Sequence, residues 1–138
     1  MMQINSEAIL AKLKHANLRP TQQRLQLGHL LWGKMPCRHV TAEALHRESR
    51  EANIQVSLAT IYNTLHQFTQ AGLLREIAVE GSGSYFDTNI QPHHHFLHED
   101  TGELEDISAE QVKVSQLPVA PMGKSIASVD VVIRLKAQ

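Results

Sequence analysis

The stretch Ser57-Leu58-Ala59-Thr60-Ile61-Tyr62-Asn63-Thr64-Leu65-His66-Gln67-Phe68 decides how this chain is read. Leu58, Ile61, Leu65 and Phe68 recur at helical spacing, so a helix here would pack that stripe against its neighbours. Ser57 stands where an N-cap belongs and Gly72 where a stop belongs, which predicts a helix from Leu58 to Ala71. Opposite the stripe fall Thr60, Asn63, Thr64 and Gln67, whose amides and hydroxyls can bond base edges and phosphate oxygens; Ala59 and Tyr62 lie beside them to touch thymine methyls or backbone. An ordinary amphipathic helix with an uncharged surface has the same pattern, so the flanking sequence must discriminate.

Upstream, three helices are predicted: from Asn5 or Ser6 to Ala16, from Thr21 to about Trp32 with Gly33 as its stop, and from Thr41 to near Asn53. Downstream, Leu73 to Val79 and Tyr85 to Thr88 flank the turn Glu80-Gly81-Ser82-Gly83-Ser84 and read as a hairpin. A fourth amphipathic helix followed by a hairpin is the order of a winged helix-turn-helix, whose last helix enters the major groove. After a linker over Asn89 to Pro92, strands are expected at His93 to Glu99 and Glu103 to Ile107. A helix or irregular segment follows near Ala109 to Gln116, then a last strand from Ala127 to Leu135 with one face buried.

Charge supports a nucleic-acid partner. Residues 1–75 carry nine Lys/Arg against four Asp/Glu, a net +5, and residues 76–138 carry four against ten, a net −6. No acid lies between Glu7 and Glu43, although Lys12, Lys14, Arg19, Arg24, Lys34 and Arg38 do, and none lies from Ala52 to Arg75. A surface that approaches phosphates excludes carboxylates. The length of 138 residues suits one ordinary domain or two small ones, with a core often completed by dimerisation. The single Cys37 excludes an internal disulfide and a four-thiolate zinc site. With no leader and no apolar run near the roughly 20 residues that span a bilayer, the expected location is cytoplasmic.

Pro92-His93-His94-His95-Phe96-Leu97-His98 concentrates imidazoles on one segment. On a strand, His93 and His95 share a face with Leu97 and Glu99, while His94 and His98 share the other with Phe96. Neutral imidazole is the commonest protein ligand for a transition metal, so the run reads as a metal or haem site; a solvated, histidine-bearing strand is the plain alternative.

Leu18-Arg19-Pro20-Thr21-Gln22-Gln23-Arg24, His39-Val40-Thr41-Ala42-Glu43, Val56 through Leu65, Ala71-Gly72-Leu73, and Tyr85-Phe86-Asp87 through His93-His94-His95 resemble, in order, the ferric uptake regulator superfamily. The resemblance implies a homodimeric bacterial transcription factor of α+β class, not an enzyme. It places an N-terminal winged helix-turn-helix DNA-binding domain at residues 1–88, a hinge at 89–92, and a small α/β dimerisation and ligand-sensing domain at 93–138. Between the domains it implies a regulatory metal held by His39, Asp87, His93 and His95, with Asp106 as a further candidate. Such nitrogen and oxygen donors suit Fe(II), Mn(II), Co(II) or Zn(II), with iron or manganese expected in the cell and zinc in a purified sample. The expected partner is an inverted-repeat double-stranded DNA operator, contacted by Lys12, Lys14, Arg19, Arg24, Ser57, Ala59, Thr60, Tyr62, Asn63, Thr64 and Gln67. Neither a membrane nor a small-molecule substrate is expected.

The sequence departs from the family pattern where most relatives carry cysteine pairs. One pair is replaced by His98 and Thr101 and the other is missing, so no structural thiolate zinc is expected. Pro92 stands in place of another histidine. The triple histidine, Asn63 in place of a common arginine, and the ending Ile126 to Leu135 resemble the haem-responsive iron response regulators. In that subgroup the haem-free form binds DNA and haem weakens it. Cys37 follows Pro36 rather than preceding a proline, so no Cys-Pro haem motif is present, and haem would fall to His93, His94 and His95. Asp87 and Asp106 also resemble the peroxide-sensing branch, in which bound iron oxidises a ligand histidine. A metallohydrolase using His93, His95 and Asp87 as ligands, with Glu99 or Asp106 as base, is a third reading.

Overall fold

A computed structural model describes residues 6–33, 37–81 and 83–138; Asn5, Lys34, Pro36 and Ser82, which enter the sequence reading, lie outside them. The chain divides into two compact units, Met1–Ile90 and Gln91–Gln138.

The first unit contains the four helices anticipated: α1 (Ser6–His15), α2 (Gln22–Trp32), α3 (Ala42–Glu51) and α4 (Leu58–Gln70). Thr21, Thr41 and Ser57 cap three of them, each side-chain oxygen accepting the amide three residues on. Such a cap is worth about 1 kcal/mol. Helices α1, α3 and α4 close alike: Leu18 N donates to Leu13 O, Ile54 N to Ser49 O and Leu73 N to Phe68 O, with Asn17, Asn53 and Gly72 at positive φ. Asparagine and glycine reach that left-handed region at the least cost. The core joins Leu13, Leu27, Leu31, Leu45, Ile61, Leu65 and Phe68, the Trp32 and Phe68 rings lying 5.3 Å apart. Helices α1 and α2 approach closely at Gly28, where a Cβ would sit 2.7 Å from Ile9 Cγ2.

A three-stranded sheet closes this unit in the order β1-β3-β2. Strands β2 (Arg75–Val79) and β3 (Gly83–Asp87) form the anticipated hairpin. Strand β1 (His39–Val40) is absent from the sequence reading because two residues carry no periodicity, yet it sets His39 opposite Asp87.

The second unit is a sheet of order β5-β4-β6, from β4 (His93–His98), β5 (Glu103–Ser108) and β6 (Val132–Leu135). Strands β4 and β5 are antiparallel, β4 and β6 parallel. Of the two alternatives for the segment near Ala109 to Gln116, the irregular one holds after a 3-10 turn, Ala109–Gln111; Pro118 and Pro121 follow, and Val114 and Leu117 remain exposed. One expectation is corrected here. The last strand is four residues long rather than nine, and no face of it is buried within the chain: Val132 and Leu135 are half-buried and Ile133 is exposed. Alternation marked the strand correctly, but a single chain supplies nothing to cover it.

Candidate metal centre and nucleic-acid interface

In the first unit, the β1–β3 pairing brings His39 Nε2 within 3.3 Å of Asp87 Oδ2. Asp87 is fully buried, and its other carboxylate oxygen accepts the Asn89 amide at 2.8 Å. A buried carboxylate needs such partners to offset desolvation. The strand holding His39 is itself fastened: Arg38 N donates to Thr88 Oγ1 at 2.9 Å, and Thr88 N donates to Arg38 O at 3.0 Å. The Arg38 guanidinium donates to Leu30 O at 2.7 Å and bidentately to Glu48 at 2.9 and 2.6 Å. Arg38, one of the cations in the acid-free stretch, is therefore committed internally rather than to phosphate.

In the second unit, register places Asp106 opposite His95. Its Oδ1 lies 3.3 Å from His93 Nε2 and 3.5 Å from His95 Nε2, and the two rings are 4.5 Å apart. His93 Nδ1 lies 2.6 Å from Gln91 O. A carbonyl can only accept, so Nδ1 carries a proton; a metal at this ring would therefore take Nε2, the arrangement second-shell carbonyls impose on metal-bound histidines. His93, His95 and Asp106 thus fit a borderline divalent ion. His94 lies apart from this group: its Nδ1 accepts the Val131 amide at 3.1 Å. A neutral His94 then has its proton on Nε2, so it can ligate haem iron only by giving up that bond or its tautomer.

Around α4, the expected DNA-facing residues separate. Arg19, Arg24, Thr60, Asn63, Thr64 and Gln67 line one recess of about 480 Å³, with Thr21 and Gln23 added by the structure. Both additions lie inside the quoted Arg19-to-Arg24 motif, which was the available signal. Ser57 and Ala59 are exposed at the start of α4. Thr64 departs from the outward position expected, being buried with its hydroxyl donating to Thr60 O at 2.8 Å. Lys12 is placed elsewhere, its ammonium 5.1 Å from the centre of the Trp32 ring, and Lys14 is exposed on α1 outside the recess. Tyr62 donates to Glu43 Oε1 at 2.7 Å, so an acid from α3 reaches a helix that is acid-free in sequence. That bond holds the Glu43 carboxyl below its ordinary pKa and raises that of the Tyr62 hydroxyl.

A winged helix followed by a strand carrying paired histidines invites comparison with known regulators, and the ferric uptake regulator family model matches residues 15–134. The chain belongs to the ferric uptake regulator family. The ferric uptake regulation protein of Vibrio anguillarum is 34% identical over 109 residues, covering 78% of this chain and 72% of that protein. The Yersinia pestis protein of the same name is also 34% identical, covering 78% and 73%. Among solved structures, the Vibrio cholerae ferric uptake regulator superposes with a TM-score of 0.72 at 28% identity, covering 92% of this chain and 98% of that one. The Pseudomonas aeruginosa regulator, solved with manganese, gives 0.71 at 26% identity, covering 94% and 98%. Ferric uptake regulator family members are metal-responsive transcriptional regulators rather than enzymes, which removes the metallohydrolase reading. No helix among the described residues is long and apolar enough to cross a membrane.

Proposed function

We propose that this chain is a homodimeric cytoplasmic regulator of iron-linked genes that binds an inverted-repeat operator through α4. In this reading residues 1–88 bind DNA, 89–92 are the hinge and 93–138 dimerise. The family resemblance would assign one divalent ion to His39 and Asp87 of the first unit together with His93, His95 and Asp106 of the second. The observation that carries the reading is the convergence of His93 Nε2 and His95 Nε2 on Asp106 Oδ1, with His93 Nδ1 turned to Gln91 O. With no thiolate in the set, Fe(II), Mn(II) or Zn(II) is suited better than a soft ion. Drawing donors from both units onto one ion would favour one arrangement of the DNA-binding unit, and differential affinity for that arrangement is what lets a ligand control DNA binding.

Fluorescence anisotropy of the full chain with operator DNA, titrated with Mn(II) after chelation, tests this. Affinity should change by roughly 5- to 150-fold, the usual range of allosteric coupling. His39→Ala should abolish the response without altering metal-free binding. A response that survives His39→Ala but disappears in His93→Ala/His95→Ala would confine the ion to the C-terminal unit and overturn the joint site.

Haem is the second ligand to test, on the resemblance to the iron response regulators and the three adjacent imidazoles. Because His94 is committed to Val131, haem would compete with the ion for His93 and His95. A Soret band that Mn(II) suppresses supports this reading. Oxygen added to His39 or His93 after aerobic iron loading would point to peroxide sensing instead.

A further inference from the structure

Of the four polar side chains expected on the outer face of α4, the two threonines make local bonds. Thr64 donates to Thr60 O, and the Thr60 hydroxyl accepts from Ser57 Oγ at 3.0 Å. The Thr60 hydroxyl keeps its own proton to donate, and the two amides, Asn63 and Gln67, lie one turn apart and so on the same side of the helix. They differ in one respect. No described residue hydrogen-bonds the Asn63 amide, whereas Gln67 Oε1 accepts from Arg24 Nη2 at 3.0 Å. The other arm of the same guanidinium donates to Arg19 O at 2.8 Å, so Arg24 spans from the segment before α2 to α4. A guanidinium has donors only. Whichever way the Gln67 amide is drawn, its oxygen must therefore face Arg24, and its NH₂ group is the one left to bond outward.

Glutamine ordinarily reads adenine bidentately, its oxygen accepting from N6 and its nitrogen donating to N7. An amide held by its oxygen is turned out of that pose. Its two N–H bonds suit an edge of acceptors, N7 and O6 of guanine or O4 of thymine, and meet the amino groups of adenine and cytosine donor to donor. We propose that Arg24 is a positioning residue for base readout: by holding Gln67 through its oxygen, it makes that side chain a selector of guanine or thymine, while Asn63 keeps both amide atoms for adenine. The inference rests on the reading of α4 as the DNA-contacting helix.

Arg24→Lys is the discriminating variant. It keeps the positive charge that a phosphate contact would use, but one ammonium nitrogen cannot reproduce a fork that reaches Arg19 O and Gln67 together. The full chain in Mn(II) first selects its preferred site from a randomised duplex library. Affinities for every single-base variant are then measured for wild type, Arg24→Lys, Gln67→Ala and the double variant, at two salt concentrations, with thermal midpoints recorded alongside.

Wild type should prefer guanine or thymine over adenine by roughly 5- to 100-fold at one base pair per half-site. Arg24→Lys should flatten that preference to within about 3-fold at that pair alone, with the salt dependence unchanged. In the Gln67→Ala background it should do nothing further there, the two residues acting as one unit. Wild-type base ratios in Arg24→Lys would overturn the proposal, as would a uniform loss across all sites with a lowered thermal midpoint, which would mark a structural role. A wild-type chain without preference for any sequence would instead remove the reading of α4 as a base-contacting helix, and this proposal with it.

Discussion

The two units bury their apolar side chains on different terms. In the first, Leu13, Leu27, Leu31, Leu45, Ile61, Leu65, Phe68 and Phe86 are wholly enclosed, contributed by three helices in sequence, α4 and the hairpin. In the second, Leu97 and Ile107 are the buried hydrophobic residues, while Val119 and Met122 are 95% and 101% exposed and Ile126 and Ile133 stand open. A segment that encloses so little cannot offset the conformational entropy of ordering its backbone by its own burial. The contrast teaches where stability must come from: from within the chain for the first unit, and from another surface for the second. The proposed homodimer supplies such a surface.

The largest effect that would sharpen this contrast is expected from Phe68→Ala. It removes a fully buried ring packed at a tilt against Trp32 and should cost about 3–5 kcal/mol in urea unfolding followed by circular dichroism. A loss under about 1 kcal/mol would mean that the first unit is less self-sufficient than its packing indicates.

Val131→Asp comes next, with a cost that depends on the partner. In the single chain Val131 is only half-buried, so a carboxylate there should leave the monomer's fold nearly unchanged. At a dimer contact the same charge would be buried unpaired, at roughly 2–4 kcal/mol, and size-exclusion chromatography should show dissociation with secondary structure retained. An unchanged dimer would break the comparison by placing the missing surface elsewhere.

His93→Ala/His95→Ala empties the space of two buried imidazoles and so carries a cavity cost, but it strands no buried charge, since Asp106, the carboxylate facing both rings, is exposed enough to be solvated. Folding and dimerisation should survive while the Mn(II) response is lost. A monomeric or unfolded double variant would show the pair to be structural.

Smallest is the pH effect at the Tyr62–Glu43 bond, which lies at the surface. The Glu43 carboxyl is held below its unfolded value chiefly by the Tyr62 hydroxyl, so its contribution is complete above the ordinary carboxylate range and fades as pH falls through the lowered value. The Tyr62 hydroxyl is raised by the same bond, so its contribution is complete below its ordinary value and fades as pH rises through the raised one. Tyr62→Phe should flatten both slopes in thermal unfolding measured across pH.

Legibility followed the same division. Thr21, Thr41, Ser57 and Gly72 announce their helix ends because capping chemistry is local, and Leu58, Ile61, Leu65 and Phe68 announce a buried stripe because the core that receives them is in the same chain. Strand β6 was misjudged because its alternation speaks of a covering surface without saying whose. On the site, motif resemblance named His39, Asp87, His93, His95 and Asp106, but spacing alone could not reveal that β1 exists to face His39 toward Asp87. Nor could it reveal that Gln91 O fixes the His93 tautomer, that Glu43 reaches Tyr62, or that Arg24 holds Gln67, since each contact is made by chain folding back on itself.

The fastening of β1 carries one more consequence. Arg38 is anchored through its backbone to Thr88 and through its side chain to Leu30 and Glu48, and Thr41, two residues past His39, caps α3. His39 therefore sits on a taut span between two fixed posts. An imidazole on a slack loop would have to be stilled each time an ion arrived, weakening every encounter by the entropy of that stilling. Here the backbone on both sides of His39 is stilled once the unit has folded, so under the proposed metal reading that part of the entropy would already be spent before an ion arrived.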